Sequence, residues 1–461
     1  MSESDCNNPA VYHFIGIGGI SMSGIAKLLL NGGFKVSGSD NTKSALTEEL
    51  EEAGATVFYG QKASNIPADC EIVVYSAAIR TDNPEYAEAV RRGLPMFSRA
   101  ELLGMIMKNY QNAAAVAGTH GKTTTTGMLS EIFMAAGLDP TISIGGILPS
   151  IGGNFRIGGN RMFLTEACEY TNSFLELCPD MEVILNIEAD HLDFFKDIDD
   201  IRASFREFTR RLDSDGVLII NAEIEDLGYF TEGASCKCIT YGVDVPADYQ
   251  AVNIEYNDSA VPSFNVLRKG KDIGRFSLNV PGVHNAGNAV AAIALSEHLG
   301  IDMETVRAGL KAFAGTERRF QKKGEFNGVI LVDDYAHHPT EIRASLTAAA
   351  AVPHRKLMCI FQPHTYSRTA AFLDNFADAL SLADEIVLAE IYAARETNTI
   401  GISSADLCDK LTAMGKKAVF FPTFEEIEDY VLKNTAPGDL VFTMGAGNVN
   451  RIGEDILEKV K

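Results

Sequence analysis

Short apolar runs alternate with stretches of helical periodicity along most of the chain. Near its start, the run Val11–Ile15 precedes a glycine-rich turn at residues 16–20, and apolar positions then recur at helical spacing until Asn31. A second apolar run at residues 34–37 ends at Asp40. Strand, glycine loop, helix and strand in this order predict a βαβ unit on a parallel sheet.

The same alternation restarts twice further along the chain. Strands are predicted at residues 72–75 and 95–97, then at 113–117, 162–164, 183–185 and 217–220, and finally at 329–332, 357–361, 385–388, 418–421 and 439–443. In residues 241–280, apolar and polar positions alternate more strongly, which predicts a small antiparallel excursion of the chain from the parallel sheet. With a helix predicted at 123–136 and others between the later strands, we predict three α/β domains over residues 1–110, 111–315 and 316–461.

Composition and charge narrow the class of protein. The chain has 461 residues, and 40 basic against 62 acidic residues give a formal net charge of -22. Nucleic-acid and membrane-surface binding both need clustered Lys and Arg, so we expect neither kind of partner. No apolar stretch approaches the roughly 20 residues of a membrane span, and residues 1–9 are too polar for a signal peptide. We therefore expect a cytoplasmic protein.

The cysteines add little to this picture. Eight are scattered through the chain, Cys6 being the first, and only Cys236 and Cys238 stand close together. No second pair completes a zinc-type spacing. A metal or disulfide role for this pair is the alternative to reduced thiols, which we expect in a cytosolic protein.

The clearest chemical signal is a glycine-rich loop between a predicted strand and a predicted helix. Its glycines let backbone N–H groups approach phosphate oxygens, Lys122 reaches the β and γ phosphates, and the Thr123 hydroxyl is a ligand for Mg²⁺. The full P-loop pattern has a glycine where Val116 stands, so this loop is a shortened version. We predict that ATP binds to Gly118, Thr119, His120, Gly121, Lys122, Thr123 and Thr124.

Acidic residues and a histidine follow two further predicted strands. Glu169 comes after the strand at 162–164, and His191 comes after the strand at 183–185. Sheets of α/β proteins bind ligands at the carboxyl ends of their strands. We therefore predict that Thr123, Glu169 and His191 converge on Mg²⁺ beside ATP. The alternative is that Glu169 and His191 are solvated loop residues.

Further motifs run through the chain. In order they are Gly16-Ile-Gly-Gly19, Glu166-Ala-Cys-Glu169, Asn186-Ile-Glu-Ala-Asp-His-Leu-Asp193, Pro281-Gly-Val-His-Asn-Ala-Gly-Asn288, Arg318-Arg-Phe320, Asp333-Asp-Tyr-Ala-His-His-Pro-Thr-Glu341, Phe361-Gln-Pro-His364 and Tyr392-Ala-Ala-Arg-Glu396. With the glycine-rich loop at residues 118–124, which we call the phosphate loop, they resemble the Mur ligase family over nearly the whole chain. The histidine-containing motifs at 335–341 and 361–364 are similar to those of its alanine-adding member.

The resemblance implies a fold and an activity. The N-terminal domain would be Rossmann-like and would hold UDP. The central domain would be P-loop ATPase-like and would bind ATP and Mg²⁺. The C-terminal domain would be Rossmann-like and would bind the amino acid. The enzyme would join L-alanine to the lactyl carboxylate of UDP-N-acetylmuramate through an acyl phosphate, as a monomer or homodimer. The alternatives are a sister ligase that adds a murein peptide, a non-catalytic nucleotide-binding relative and, least supported, a dehydrogenase.

The resemblance also implies roles for single residues. Near ATP it implies His284, Asn285, Asn288 and Arg319, although a helix cap without a ligand is the alternative for the first two. On the UDP side it implies Gly16, Gly18, Gly19, Ser21, Asp40 and Ser76. The alanine pocket would contain Tyr335, His337, His338, His364 and Arg368, where Arg368 offers a fork for the carboxylate. The expected catalytic residues are Lys122, Glu169, His191, His337 and His364; His337, His364 or a carboxylate would be the base for the amine.

Three positions depart from the family pattern. Ser21 replaces a glycine of the first loop, and Asn448 replaces an aspartate. Thr365 replaces the arginine usual after Phe-Gln-Pro-His, which removes a positive charge from the amino acid side. Residues 201–211 offer arginines where several relatives carry a carbamylated lysine for a second magnesium ion. These departures affect details of the site more than the reaction class.

Overall fold

The N-terminal part of the chain forms a parallel sheet. A computed structural model describes residues 10–461, so Cys6 and the prediction for residues 1–9 lie outside it. The elements are β1 (Val11–Ile15), α1 (Ile20–Asn31), β2 (Lys35–Asp40), α2 (Ala45–Glu52), β3 (Thr56–Tyr59), β4 (Ile72–Tyr75), α3 (Pro84–Arg92), β5 (Met96–Ser98) and α4 (Arg99–Met107). The strand order β3-β2-β1-β4-β5 matches the first five strands of the Rossmann order 3-2-1-4-5-6. The predicted βαβ unit is confirmed.

The central part forms a larger mixed sheet. Its strands are β6 (Ala113–Ala117), β7 (Thr141–Leu148), β8 (Gly153–Arg156), β9 (Phe163–Ala167), β10 (Met181–Ile184), β11 (Val217–Asn221), β12 (Lys237–Val243), β13 (Tyr249–Tyr256), β14 (Pro262–Arg268) and β15 (Lys271–Ser277). Its helices are α5 (Lys122–Ala135), α6 (Ile198–Thr209), α7 (Gly228–Thr231), α8 (His284–His298) and α9 (Met303–Ala312). The order is β15-β14-β13-β12-β11-β10-β6-β9-β7-β8. Antiparallel pairing of β13, β14 and β15 confirms the predicted excursion.

Burial explains why the central parallel strands could be predicted from the sequence. Every residue of β6 is buried, and β10 is buried along its whole length. A parallel strand covered on both faces appears as a continuous apolar run, as Ala113–Ala117 does. Helix α5 begins directly after the glycine-rich loop that follows β6, which places the phosphate loop at the carboxyl edge of the sheet.

The C-terminal part forms a third sheet. Its strands are β16 (Gln321–Phe326), β17 (Val329–Asp334), β18 (Leu357–Phe361), β19 (Glu385–Leu388), β20 (Lys417–Phe420) and β21 (Leu440–Met444). Its helices are α10 (Pro339–Ala351), α11 (Tyr366–Ala371), α12 (Leu373–Leu380), α13 (Ser404–Ala413), α14 (Phe424–Asn434) and α15 (Asn450–Lys459). The order is β16-β17-β21-β18-β19-β20, and β16 alone among these described strands runs antiparallel to its neighbour. The predicted α/β class is confirmed.

Two further observations concern the molecule as a whole. Within residues 10–461, no helix has the length and apolar character needed to cross a bilayer. The cysteines among these residues are unpaired, including Cys236 and Cys238. Each of the three sheets lies inside one of the segments predicted from the sequence.

Candidate functional site

The phosphate loop is held by residues of the loop that follows β10. Gly118 and Gly121 have φ values of 136° and 86°, a backbone region that favours glycine. The Asn186 side chain accepts a hydrogen bond from the His120 N–H at 2.7 Å, and its backbone carbonyl accepts one from the Thr119 N–H at 3.1 Å. Sequence reasoning gave Asn186 no role, although it begins one of the quoted motifs.

Lys122 lies in a buried ion pair at the start of α5. Its Nζ donates to Glu169 Oε2 at 2.9 Å and to Glu169 Oε1 at 3.3 Å. Burial lowers the pKa of Lys122, but the adjacent Glu169 carboxylate outweighs burial and the net pKa is raised to about 12. The ammonium is therefore charged at neutral pH and lies on the loop where phosphate oxygens are predicted to bind.

Glu169 and His191 lie close enough to share one cation. Glu169 Oε1 is 3.9 Å from His191 Nε2. Two ligand atoms that each lie about 2.0–2.2 Å from one ion are separated by about 3–4 Å, so this spacing fits a divalent cation. Thr123 is buried in the first turn of α5. The carboxylate and the imidazole thus come together beside Lys122.

A second group of possible metal ligands lies nearby. Ligand atoms of His120, Glu188 and His338 all lie within 4.8 Å of one another. Sequence reasoning assigned His120 and His338 to two different substrates and gave Glu188 no role. The structure therefore joins a residue of the phosphate loop to one from the predicted alanine pocket.

A cavity of about 450 Å³ opens beside the phosphate loop between the central and C-terminal sheets. The predicted ATP residues that line it are His120, Gly121, Thr124, His284, Asn285, Asn288 and Arg319. Apolar walls come from Tyr241, Val280 and Phe313. A pocket with apolar walls and a few polar groups is typical of nucleotide sites.

The start of α8 tests the alternative reading of His284 and Asn285. The helix begins at His284 without a side-chain cap. The Asn285 side chain donates to the Pro281 carbonyl at 2.6 Å and accepts from Asn288 at 3.0 Å. Neither residue is therefore a cap in the usual sense. Burial lowers the pKa of His284 to about 4, so its imidazole is neutral in the cavity.

Four of the five residues of the predicted alanine pocket come together. The His337 and His364 ring centroids are 5.9 Å apart, and His364 Nδ1 is 3.1 Å from Arg368 Nη1. Burial lowers the pKa of both histidines to about 4. Tyr335 packs edge-on against His337 at 5.5 Å. This cluster contains two neutral imidazoles beside one guanidinium.

His338 lies on a different side of this cluster. Its Nε2 is 3.2 Å from the Ala189 carbonyl oxygen, and its ring centroid is 4.7 Å from that of His120. His338 therefore faces the central sheet and the phosphate loop rather than His364 and Arg368. Its Nδ1 also accepts the Thr340 N–H at 3.3 Å.

Arg368 binds a carboxylate that the sequence did not single out. Its Nε and Nη2 donate to Asp190 Oδ1 at 3.0 and 2.8 Å. Both side chains are at least nine-tenths buried, and the guanidinium helps to hold the pKa of Asp190 well below its usual range against the opposing effect of burial. The signal for Asp190 was present, since the residue lies next to His191 at the end of a predicted strand.

His120 connects the central and C-terminal sheets. Its Nδ1 is 3.1 Å from Glu341 Oε1, and its Nε2 is 3.5 Å from Glu188 Oε2. Burial lowers the pKa of His120, but the two carboxylates outweigh burial and raise it to about 9. Glu341 comes from the first turn of α10. Sequence reasoning left its role open, because nothing local shows which loop it faces.

The first glycine loop borders a separate cavity of about 560 Å³. Gly16, Gly19, Asp40 and Ser76 line it, together with Gln61, Arg80 and Asn83. Asp40 Oδ2 accepts the Gly18 N–H at 2.9 Å, which holds the loop against the end of β2. Ser21 lies outside this lining, and its hydroxyl is 3.4 Å from Arg99 Nη1.

Thr365 has a structural role at the position where the family usually has an arginine. Its φ is 64°, and its hydroxyl caps α11 by accepting the Arg368 N–H at 3.4 Å. The residue therefore orients the helix that carries Arg368. Arg319, the predicted phosphate residue, has its guanidinium 5.3 Å from the Tyr335 ring centroid and lines the cavity beside the phosphate loop.

Three family models match successive parts of the chain. They are the Mur ligase family catalytic domain at residues 11–111, the Mur ligase middle domain at 116–296 and the Mur ligase glutamate ligase domain at 318–447.

Individual relatives match along the full length. The UDP-N-acetylmuramate–L-alanine ligase of Lachnospira eligens is 57% identical over 99% of this chain and 100% of its own. That of Agathobacter rectalis is 57% identical over 100% of both. The crystal structure of the corresponding Thermotoga maritima ligase has a TM-score of 0.81 at 31% identity and covers 97% of this chain and 98% of its own. A murein peptide ligase from Psychrobacter arcticus has a TM-score of 0.73 at 26% identity, covering 98% of each chain.

Proposed function

The chain belongs to the Mur ligase family, and we propose that it is an ATP-dependent ligase that joins L-alanine to the lactyl carboxylate of UDP-N-acetylmuramate. The observation that carries the proposal is the 57% identity to the Lachnospira eligens ligase named for this reaction, over 99% of this chain. Identity to the murein peptide ligase structure is 26%, which favours alanine over a peptide as the acceptor. The reaction belongs to peptidoglycan precursor synthesis.

Activation of the carboxylate takes place at the phosphate loop. A lactyl carboxylate oxygen attacks the γ-phosphorus of ATP, ADP leaves, and an acyl phosphate forms. Lys122 is charged and fixed by Glu169 at 2.9 Å, so it offsets the negative charge of the transferring group without reorganising. The cavity beside His284 and Asn288 would hold the adenine.

Formation of the amide takes place in the alanine pocket. The alanine nitrogen attacks the acyl carbon, the bond from that carbon to the phosphate oxygen breaks, and orthophosphate leaves. The amine must lose a proton, for which His337, His364 and a carboxylate are the candidate bases. Arg368 is the proposed partner of the alanine carboxylate, which would compete with Asp190 for the guanidinium.

We also propose that Mg²⁺ accompanies ATP. Glu169, His191 and Thr123 would hold the ion, and the 3.9 Å separation of Glu169 Oε1 and His191 Nε2 supports this assignment. When bound, the ion supplies positive charge to the β and γ phosphates. Glu169 Oε1 would then turn to the ion, while Oε2 keeps its bond to Lys122.

The remaining expectations follow from this activity. We propose that residues 1–110 bind the UDP part of the substrate, residues 111–315 bind ATP, and residues 316–461 bind alanine. The cavity beside Gly16, Asp40 and Ser76 supports the first assignment. Because the reaction consumes ATP and a UDP-sugar, we propose a cytoplasmic location, and we propose a monomer or homodimer.

The test is orthophosphate release with UDP-N-acetylmuramate, ATP and a series of amino acceptors. We expect release to depend on L-alanine, with ADP and no AMP formed. Substrate labelled with ¹⁸O in the lactyl carboxylate should pass one label to orthophosphate for each amide formed. Label in AMP, or unlabelled phosphate while amide forms, would exclude the acyl-phosphate route. A murein tripeptide that replaces alanine efficiently would favour the sister ligase.

A further inference from the structure

Glu341 uses its two carboxylate oxygens for different parts of the site. Oε1 is 3.1 Å from His120 Nδ1 on the phosphate loop. Oε2 accepts the His337 N–H at 3.1 Å and is 3.3 Å from His337 Nδ1. The carboxylate therefore lies between the phosphate loop and His337 of the predicted alanine pocket, which we also call the amine pocket. Its side chain is only 12% exposed.

Helix capping accounts for only one of the two oxygens. Glu341 is the third residue of α10 and closes a capping box, with Oε2 accepting the His338 N–H at 3.4 Å. The bond from Oε1 to His120 spans 221 positions of the chain and adds nothing to the cap. A glutamate that only capped α10 would leave this oxygen for solvent.

His120 is fixed firmly enough to transmit the position of the phosphate loop. Its backbone N–H is bonded to Asn186 at 2.7 Å, and its backbone carbonyl accepts the Asn186 side-chain N–H at 3.0 Å. On the other side, His337 packs 5.9 Å from His364, which lies 3.1 Å from Arg368. An unbroken set of contacts thus runs from the phosphate loop to the amine pocket.

We propose that Glu341 is a positioning residue that holds the amine pocket against the phosphate loop through His120. The acyl phosphate then reacts with alanine before it can react with water. The inference rests on the proposed function. Without the bond, the carboxylate is still activated, but the pocket is no longer held against the intermediate. Water oxygen then attacks the acyl carbon, orthophosphate leaves, and the original carboxylate is regenerated without an amide.

The ratio of orthophosphate to amide tests this role. It is measured in the full-length enzyme at saturating ATP, UDP-N-acetylmuramate and alanine, for Glu341→Ala, His120→Ala and the double variant. We expect each single variant to raise the ratio at least about fivefold, and the double variant to differ from either single by less than about twofold, because both changes remove the same bond. Since phosphate and amide come from the same turnovers, weaker ATP binding does not alter the ratio.

A matched control separates positioning from capping. Glu426 closes an equivalent capping box at the start of α14, away from both cavities. Glu426→Ala should keep the wild-type ratio. His120→Ala removes none of the hydrogen bonds that cap α10, so it remains informative if Glu341→Ala does not fold.

The proposal is overturned if His120→Ala keeps the wild-type ratio, if the two single effects multiply in the double variant, or if Glu426→Ala raises the ratio equally. A wild-type protein that releases no alanine-dependent phosphate would instead refute the proposed function.

Discussion

Lys122 and Glu169 form a buried pair of opposite charges at the point where phosphate is expected to bind. The Lys122 side chain is 14% exposed and that of Glu169 is 3% exposed. Removing one member of such a pair leaves the other charge buried without a partner, which is more costly than losing an exposed pair. Single substitutions here therefore affect both chemistry and stability, and each needs a separate measurement of folding.

Lys122→Ala should reduce kcat to below about a tenth of the wild-type value, a barrier increase of more than about 1.4 kcal/mol. The reason is the loss of the charge nearest the β and γ phosphates. Steady-state kinetics give kcat, and circular dichroism checks folding. Lys433→Ala, an exposed lysine on α14, is the control and should retain full activity. A Lys122→Ala enzyme with nearly normal kcat would refute the assignment of the phosphate loop.

Glu169→Gln should raise the magnesium concentration that gives half-maximal activity. Glutamine keeps the shape of the side chain but provides no negative oxygen for the cation. His191→Ala should have the same effect in a magnesium titration at fixed ATP, whereas Glu207→Gln, an exposed carboxylate on α6, should have none. An unchanged magnesium dependence in both site variants would instead show that Glu169 and His191 are solvated loop residues.

Arg368→Lys should raise the KM for alanine at least about tenfold, equivalent to about 1.4 kcal/mol. Lysine keeps the charge but loses the planar fork, and Thr365 supplies no second cation. The KM values for alanine and ATP are measured side by side. Arg343→Lys on α10, where the arginine pairs with Asp378 at the surface, is the matched control. A change confined to the KM for ATP would place Arg368 on the nucleotide side.

At the scale of elements, β10 contains a charge-bearing residue in its buried interior. Glu182 is fully buried, and neither carboxylate oxygen has a hydrogen-bond partner among the described residues. Burial raises its pKa well above the usual 4.5, with a smaller opposing effect from Arg211. The native strand therefore favours the protonated acid, which is the cheaper form to bury.

The contribution of Glu182 to the stability of the wild-type enzyme should consequently fall as pH rises from about 4.5 through its raised pKa. Below 4.5 the folded and unfolded states are both protonated there, whereas above it the folded state retains a proton that the unfolded state has lost. The slope from this residue is at most about 1.4 kcal/mol per pH unit. Glu182→Gln should remove this part of the slope. Urea denaturation of both proteins across this range measures the difference, and parallel curves would contradict the prediction.

At the scale of the whole molecule, helices of the N-terminal sheet pack directly on the central part of the chain. A Cβ on Gly104 of α4 would overlap the carbonyl oxygen of Glu176, and a Cβ on Gly24 of α1 would overlap the Phe155 ring. The Asn154 side chain also donates to the Ile20 carbonyl at 3.3 Å. Glycine is therefore required where α4 approaches the Glu176 backbone and where α1 approaches the Phe155 ring.

Gly104→Ala should destabilise the enzyme by up to about 2 kcal/mol. Overpacking against a backbone oxygen costs about 1–3 kcal/mol, because no flexible side chain can relieve it. The gain of about 1 kcal/mol from replacing glycine within a helix opposes this loss. Thermal unfolding followed by circular dichroism measures the result. Gly287→Ala on α8, where a Cβ meets only Val243 at an ordinary 3.5 Å, should leave the melting temperature unchanged or raise it. A higher melting temperature for Gly104→Ala would contradict this packing.

The sequence by itself determined the elements that are buried on both faces. Ala113–Ala117 and Leu357–Phe361 coincide with β6 and β18, because a fully covered strand must be apolar at every position. Strand β7, whose first half is buried, was not predicted, because Thr141, Ser143 and two glycines interrupt its apolar residues. Strands β3, β8 and β16 were not predicted either. Their residues are mostly half-buried or exposed, so polar side chains interrupt the pattern. Their pairing depends on a neighbouring strand that local periodicity does not reveal.

The candidate site divides in the same way. Lys122, Glu169 and His191 could be proposed from sequence because each follows a buried strand, and the carboxyl ends of parallel strands meet at one edge. The pairs Arg368–Asp190 and His120–Glu341 join residues 178 and 221 positions apart. Only the packing of the C-terminal sheet against the central sheet decides such contacts. Local pattern determines which side chains reach a sheet edge, whereas tertiary structure determines which edge they face.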